Sequence, residues 1–552
     1  MEILIPKKTG TYADSLCAVG YASLLAELRD SSSNIEDVGH SYRVICEEGT
    51  PPEDWKPPSP GFLYIWRRKK GLRPLGSQVM DYEQEQALAE AAKKSRSIAK
   101  AKKKVIEALE EASDVAVPAN DPEYRFAAII ESMRSSWSSD LALYHWIYEN
   151  PSACLTAIRA RINGDNQKFD AKWSNSQLLN PSTGKGIHAS KTIAKGAGSF
   201  TLTDTFEEWM KVRGLWASML GFRSGGDFKF FAISPGRITL GHLTKLRNEL
   251  RDLGMWGIVR LDIEAMLRLL QSLMLHSEYK EKGGIPIQLF TPNQVVQGLQ
   301  FALFKKLGMG SALMNDSILP LPSWFAVNDG DDVDAYLEIC SEPFGSEKGK
   351  YGPLSALKDD HSDDVELLQK YRRWLTSGKL KDLLEFHVSF APHLLQRLTA
   401  GPAQAFQSQI LHLLLLKGYP EVKDIIESPG FQNIARAIRN TTIYAAGMKS
   451  SNRDVRFGFA QKLKQRIKAG DREFLAELSD FVQQQNWEIV HRLKGRGFQI
   501  QIADSDLNDI VGLTEKYHAE LVGMLLLAYG FSKADKVVDK GEEGGEVEAA
   551  AL

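Results

Sequence analysis

The chain has 552 residues, 43% apolar and 25% charged, with 68 Lys/Arg against 70 Asp/Glu and a formal net charge of −2. That is the composition of an ordinary soluble globular protein with enough apolar residues for a large core, and the length suggests about three or four domain-sized units. Four cysteines (Cys17, Cys46, Cys154, Cys340) lie far apart with no C-x-x-C pair, so they read as reduced, buried thiols rather than zinc ligands. The start, M-E-I-L-I-P-K-K, lacks the longer apolar run of a signal peptide. The longest greasy segment, 410–416, contains His412 and is too short to span a bilayer. A cytoplasmic chain with no membrane partner is expected.

In chain order, residues 2–5 alternate as a short strand. Gly10-Thr11 then opens a helix with Leu16, Val19, Leu24, Leu25 and Leu28 on its apolar face. Residues 42–46 predict a second strand, 51–61 a Pro-rich loop, and 62–66 a strand that runs straight into Arg67, Arg68 and Arg73. Residues 81–113 are rich in Ala, Glu and Lys and predict an exposed, charged helical insert. Further helices are expected over 122–160, 200–221, 241–254, 260–276 and 291–307, with a strand over 228–233. The Asp/Gly/Pro-rich stretch 341–364 reads as an interdomain linker. Beyond it the pattern is helical, over 363–377, 379–400, 403–417, 429–446, 452–469, 471–487 and 504–530. The tail from 533 is acidic and low in complexity, hence expected to be disordered.

The back of the chain is divided by charge. From Arg436 to Arg472 ten Lys/Arg face two Asp, a net of +8, whereas 473–532 carries four Lys/Arg against nine Asp/Glu, a net of −5. A basic helical face inside a near-neutral chain suits phosphate contact, since Lys and Arg displace the counterions condensed on nucleic acid. Arg436, Arg439, Arg453, Arg456, Lys462, Lys464 and Lys468 are the candidates; the plain alternative is a solvated face.

Two loops carry further candidates. In N-P-S-T-G-K-G-I-H-A-S-K (180–191), Gly184 and Gly186 flank Lys185, which lets backbone N–H groups and an ammonium share one anion. Asn180 and Lys191 complete the set, and an ordinary mobile loop fits the local pattern equally well. Residues 328–334, N-D-G-D-D-V-D, lie between two apolar stretches that predict strands. A hairpin there would hold Asp329, Asp331 and Asp332 as a two-metal palm, or simply be a solvated turn. No Walker A run, no H-E-x-x-H and no G-x-S-x-G elbow occurs, and none of the eleven histidines precedes Asp. No catalytic residue, metal or cofactor is therefore expected.

Several segments together resemble the large subunit of type I CRISPR surveillance complexes (Cascade), most like the type I-B group. They are F-Q-N-I-A-R-A-I-R-N-T-T-I-Y-A (431–445), R-D-V-R-F-G-F-A-Q-K-L-K (453–464), E-F-L-A-E-L-S-D-F-V-Q-Q-Q-N (473–486) and L-V-G-M-L-L-L-A-Y-G (521–530). Toward the front, T-G-T-Y-A-D-S-L-C-A-V-G (9–20) and N-P-S-T-G-K-G (180–186) are similar as well. The resemblance implies a non-catalytic subunit, with sequence read by the guide RNA and a short flanking motif read in duplex DNA by the protein. It implies CRISPR RNA, target double-stranded DNA and the other Cascade subunits as partners, with a helicase–nuclease or transposition proteins recruited later. Residue chemistry makes Asn180, Gly184, Lys185, Gly186 and Lys191 the candidates for motif reading, since Asn suits an adenine edge, Lys a guanine or a phosphate, and Gly a narrow groove. Arg67, Arg68 and Arg73 at a strand end can clamp a backbone or be an inert basic patch.

The expected fold class is α+β. A mixed α/β N-terminal domain (1–345, with the insert at 81–113) is followed by a linker (346–362) and a helical bundle (363–532). Its part 429–532 resembles the separate small subunit, and an acidic tail (533–552) ends the chain. The rival from another class is a palm-type polymerase or cyclase of a type III-like effector, built on Asp329, Asp331 and Asp332.

Overall fold

The computed structural model describes residues 2–46, 205–251 without 225, 257–345 without 308, 309, 323 and 325, 351–447 without 402, 455–492 without 457, and 501–534. It also describes 64–66, 79–81, 83, 84, 87, 126, 127, 129, 130, 149–163, 165, 178, 179 and 181. The fold is α+β, with antiparallel sheets in the first part and helices in the second. Two compact units form, Met1–Trp256 with Gly283–Pro320, and Gly257–Lys282 with Leu321–Leu552. The units thus part at 320/321, ahead of the linker expected at 346–362.

The first unit opens with β1 (Glu2–Pro6), α1 (Tyr12–Arg29), β2 (Ser33–Asp37) and β3 (Ser41–Cys46). The sequence predicted β1 and β3 but not β2. Thr11 Oγ1 caps α1 by accepting from the Ala13 N–H, and Asp30 ends it in the left-handed region. The Asp14 carboxylate accepts from the N–H groups of Lys8, Thr9 and Gly10, so 9–14 closes into a turn over the helix start. β3 lies between β1 and β2, and β8 (Arg237–Thr239) completes a four-stranded sheet in the order β1-β3-β2-β8. This is a split βαβ unit.

α1 is buried nearly all round, because α3 (Thr205–Ser218) crosses it at backbone distance. A Cβ on Gly20 would stand 1.8 Å from the Met210 carbonyl oxygen, and one on Gly214 would stand 1.9 Å from that of Leu16. Only reciprocal glycines permit this approach.

The second sheet, ordered β10-β9-β7-β6, comprises β6 (Met219–Ser224), β7 (Asp227–Pro235), β9 (Val296–Leu307) and β10 (Gly310–Pro320), all antiparallel. Phe228, Phe230 and Phe304 pack there against Tyr12, Leu16 and Trp216. The helix expected over 291–307 is one capped turn, Pro292–Val295, followed by strand. A strand buried on both faces reads as an unbroken apolar run, and V-Q-G-L-Q-F-A-L-F satisfies either period. The helix expected to 221 likewise stops at Ser218 and continues as β6. A parallel pair, β4 (Tyr64–Trp66) with β5 (Val79–Asp81), two helices, α2 (Pro151–Ile162) and α4 (Leu240–Leu250), and further short pieces complete what is described of this unit.

The second unit is helical: α5 (Val259–Leu275), α6 (Gly330–Ser341), α7 (Ser362–Ser377), α8 (Leu380–Ala400), α9 (Ser408–Gly418), α10 (Pro429–Thr441), α11 (Phe459–Ala469), α12 (Asp471–Arg492) and α13 (Asp504–Gly530). α5 packs on α6 and α7, while α10, α11 and α12 pack on α13. Residues 351–361 are tied down, with Arg260 Nη1 donating to the carbonyls of Ser355 (2.8 Å) and Leu357 (3.2 Å). Asp359 accepts from the Val259 N–H at 2.9 Å. α13 breaks at His518 (φ 66°, ψ 154°), where Asp471 accepts from the Ala519 N–H at 2.7 Å and restarts the helix. No helix among the described residues is long and apolar enough to cross a membrane.

Candidate nucleic-acid interface

α11 reads F-A-Q-K-L-K-Q-R-I-K-A, and helical spacing turns Phe459, Ala460, Leu463 and Ile467 inward. Lys462, Arg466 and Lys468 are left exposed and Lys464 half-buried. Arg466 and Lys468 sit in the last turn, where cations complement the helix dipole.

Several of the charges counted in the sequence are already spent. Lys462 lies 2.7 Å from Glu477 on α12, and Arg466 lies 3.6 Å from the other oxygen of that carboxylate. Arg456 pairs with Glu488 at 3.0 Å and rests over the Phe481 ring. Arg439, expected on the phosphate track, is instead buried in the interior. It donates to the Tyr529 carbonyl at 2.9 Å and faces Ser532, tying α10 to the end of α13, and its burial pulls the guanidinium below the usual arginine range. It is structural, because desolvation keeps it from any phosphate.

Lys464 behaves differently. Among the described residues no carboxylate lies within ion-pair distance of it, and burial holds its ammonium below the usual lysine range. The like charges of Lys370 and Lys468 push in the same direction, with Glu385 and Glu366 opposing. Lys370, on α7, donates to Glu366 at 2.6 Å and to Ser389 Oγ at 2.9 Å. Arg436 on α10 and Arg472 on α12 are exposed and have no ion pair among the described residues. Cations without an ion pair are the groups on which an anion from outside the chain can form charge-assisted hydrogen bonds.

Sequence reasoning missed Lys370, which lies on a helix far upstream and carries no local signal. It also passed over Trp487, about half exposed on α12 and stacked on His491 with ring centroids 4.7 Å apart. An exposed indole offers a face on which a base can stack.

The acidic run 328–334 does not form a hairpin. Asp329 is the N-cap of α6 and accepts from the Asp332 N–H at 2.9 Å, with Asp331 and Asp332 in the first turn. Asp332 is buried, accepts from the backbone and side chain of Asn328, and is paired with Lys417. Burial works against its charge, but Lys417 and Asn328 outweigh that and hold the carboxyl below the usual range. An Asx cap followed by acids in the first turn is a helix-start signal, and it prevails over the turn reading. Among the described residues no group of three or more His, Cys, Asp or Glu is placed to hold a metal.

Asn180, Gly184, Lys185, Gly186, Lys191, Arg67, Arg68, Arg73 and Arg453 lie outside the described residues, as do most of 81–113 and the tail from 535. Cys17, Cys46 and Cys340 are buried free thiols. In comparison with known proteins, no family model and no curated protein matches the chain.

Proposed function

We propose that this chain is a non-catalytic, nucleic-acid-binding large subunit of an RNA-guided, Cascade-type complex. In this reading it recognises a short motif in duplex DNA, helps open the duplex, and recruits a downstream effector. The observation that carries it is the set of cations on α10, α11 and α12, Arg436, Lys464, Lys468 and Arg472, that make no ion pair among the described residues. Such a group suits a sugar–phosphate backbone, and the segments that resemble the small subunit of Cascade surround it. Guide RNA and target DNA are the partners, with the loop 180–191 and Arg67, Arg68 and Arg73 assigned to motif reading from the sequence alone. The test is the salt dependence of DNA binding by the full chain. Each phosphate contact contributes a slope of about 0.7–0.9 in log K against log salt. Lys464→Ala with Lys468→Ala lowers the slope by about one to two for all sequences alike, and an unchanged slope rejects the reading.

A further inference from the structure

We propose that the slot between α10, α12 and the residues just ahead of α13 takes the edge of one unpaired nucleobase, with Gln485 at its floor and Arg436 at its mouth. This rests on the nucleic-acid reading above and adds a base contact to it.

The slot has three walls. Asn433, Arg436 and Asn440 line it from one face of α10, at helical spacing. Gln485 and Ile489, one turn apart on α12, face them. Gln501 and Ile502 close the end. Two clamps hold these walls in place. Asn486 Nδ2 donates to the Ile502 carbonyl at 2.8 Å, and the Ile502 N–H donates back to Asn486 Oδ1 at 2.9 Å, so the end wall is pinned to α12. Asn433 Nδ2 donates to Asp506 Oδ1 at 3.0 Å, which pins α10 to the start of α13.

Gln485 is the residue that calls for a ligand. It is 3% exposed, and its Oε1 has no hydrogen-bond partner among the described residues. A buried acceptor left unpaired destabilises the empty fold, so a donor arriving from outside is favoured there. The volume of the slot is about 10 Å³, room for one group the size of a water. A whole base is too large for it, but the exocyclic amine at a base edge is not. Glutamine pairs with adenine through the N6 amine and N7, and apolar Ile489 and Ile502 suit the faces of a base. Among the described residues no carboxylate lines the slot. Arg436, exposed and without an ion pair among them, belongs to the basic face. A strand whose phosphate rests on Arg436 therefore carries its base over the amide.

The test titrates the full chain with two single strands of about eight nucleotides, an oligodeoxyadenylate and an abasic strand with the same number of phosphates. Gln485→Leu removes the floor amide without changing charge. Gln501→Ala, on an exposed side chain, keeps the test decisive if the first variant does not fold, which thermal melts check. The expected result is a loss of oligodeoxyadenylate affinity of about five- to tenfold in Gln485→Leu and about two- to threefold in Gln501→Ala. Abasic binding and both salt slopes stay unchanged, because no cation is removed. Equal losses on the two strands would make the slot a backbone contact and overturn the base assignment. Full affinity for both strands in both variants, with a normal salt slope, means an ordered water only; it overturns the slot and leaves the nucleic-acid reading standing. Failure of the unaltered chain to bind either strand overturns that reading and the slot with it.

Discussion

Glu342, just past the end of α6, has its pKa moved in the direction opposite to that of an ion-paired surface carboxylate such as Glu366. Burial pushes its pKa from 4.5 up to about 8, and the Gln407 N–H that donates to it offsets only part of that rise. Between those two pH values the folded chain therefore binds more protons than the unfolded chain. The stability contributed by the neutral acid is fully present below about pH 4.5 and is lost as the pH rises through about 8. A tenfold change in an acid constant is worth about 1.4 kcal/mol, which puts the ceiling at about 5 kcal/mol. Relaxation and water entry around the ionised form reduce it to on the order of 2 kcal/mol. Glu342→Gln keeps an oxygen for the Gln407 N–H and removes the titration. The advantage of the variant should therefore grow with pH and level off above about 9. A chain of two units need not unfold in one step, so amide exchange in peptides spanning 336–345 and 403–410 is the better assay. Comparing the two proteins at the same pH cancels the intrinsic exchange rate. A protection ratio that stays constant from pH 6 to pH 9 refutes the reasoning.

Gly214→Ala drives a methyl into the Leu16 carbonyl and should cost at least about 3 kcal/mol. Gly512→Ala in α13, where nothing lies within 4 Å, should be neutral or stabilise by up to about 1 kcal/mol; urea midpoints decide both. Asn180→Ala or Lys185→Ala should weaken binding to duplex targets by roughly 1–3 kcal/mol and spare targets whose strands are already separated. Equal loss on both substrates would make the loop a general backbone clamp or a guide-RNA contact. Met448 heads the basic helices and is a candidate internal start, so intact-mass measurement of the purified complex should show a fragment of about the last hundred residues. If only the full chain appears, the bundle works solely in cis.

The helices of the second unit were legible because amphipathic spacing fixes them; α7, α8 and α12 begin where periodicity places them. β9 was not legible, since V-Q-G-L-Q-F-A-L-F fits the helical and the strand period alike, and β10 escaped because Leu313–Asn315 carries a register shift. The kink in α13 depends on Asp471, 47 residues before His518, and nothing near His518 announces it. For the site, the charge count located α11 but could not separate spent cations from available ones. Lys462 and Lys464 look alike in sequence, and only the fold shows Glu477 beside the first and Lys370 beside the second. The acidic run failed for a related reason: Asp-Gly-Asp starts helices as readily as it closes hairpins.

The interleaving of the two units has a consequence for synthesis. Residues 257–282 belong to the second unit, yet they leave the ribosome before β9 and β10, which the first unit needs to complete its second sheet. The greasy face of α5, with Leu267, Leu270 and Met274, must then wait for α6 and for α7, which begins only at Ser362. For that interval two unfinished cores share one nascent chain, each exposing apolar surface that the other's missing partners cannot cover. Neither unit can be cut out as a continuous piece, and a cut at 345 would take α5 and α6 from the second unit and leave α7 without the helix it packs against.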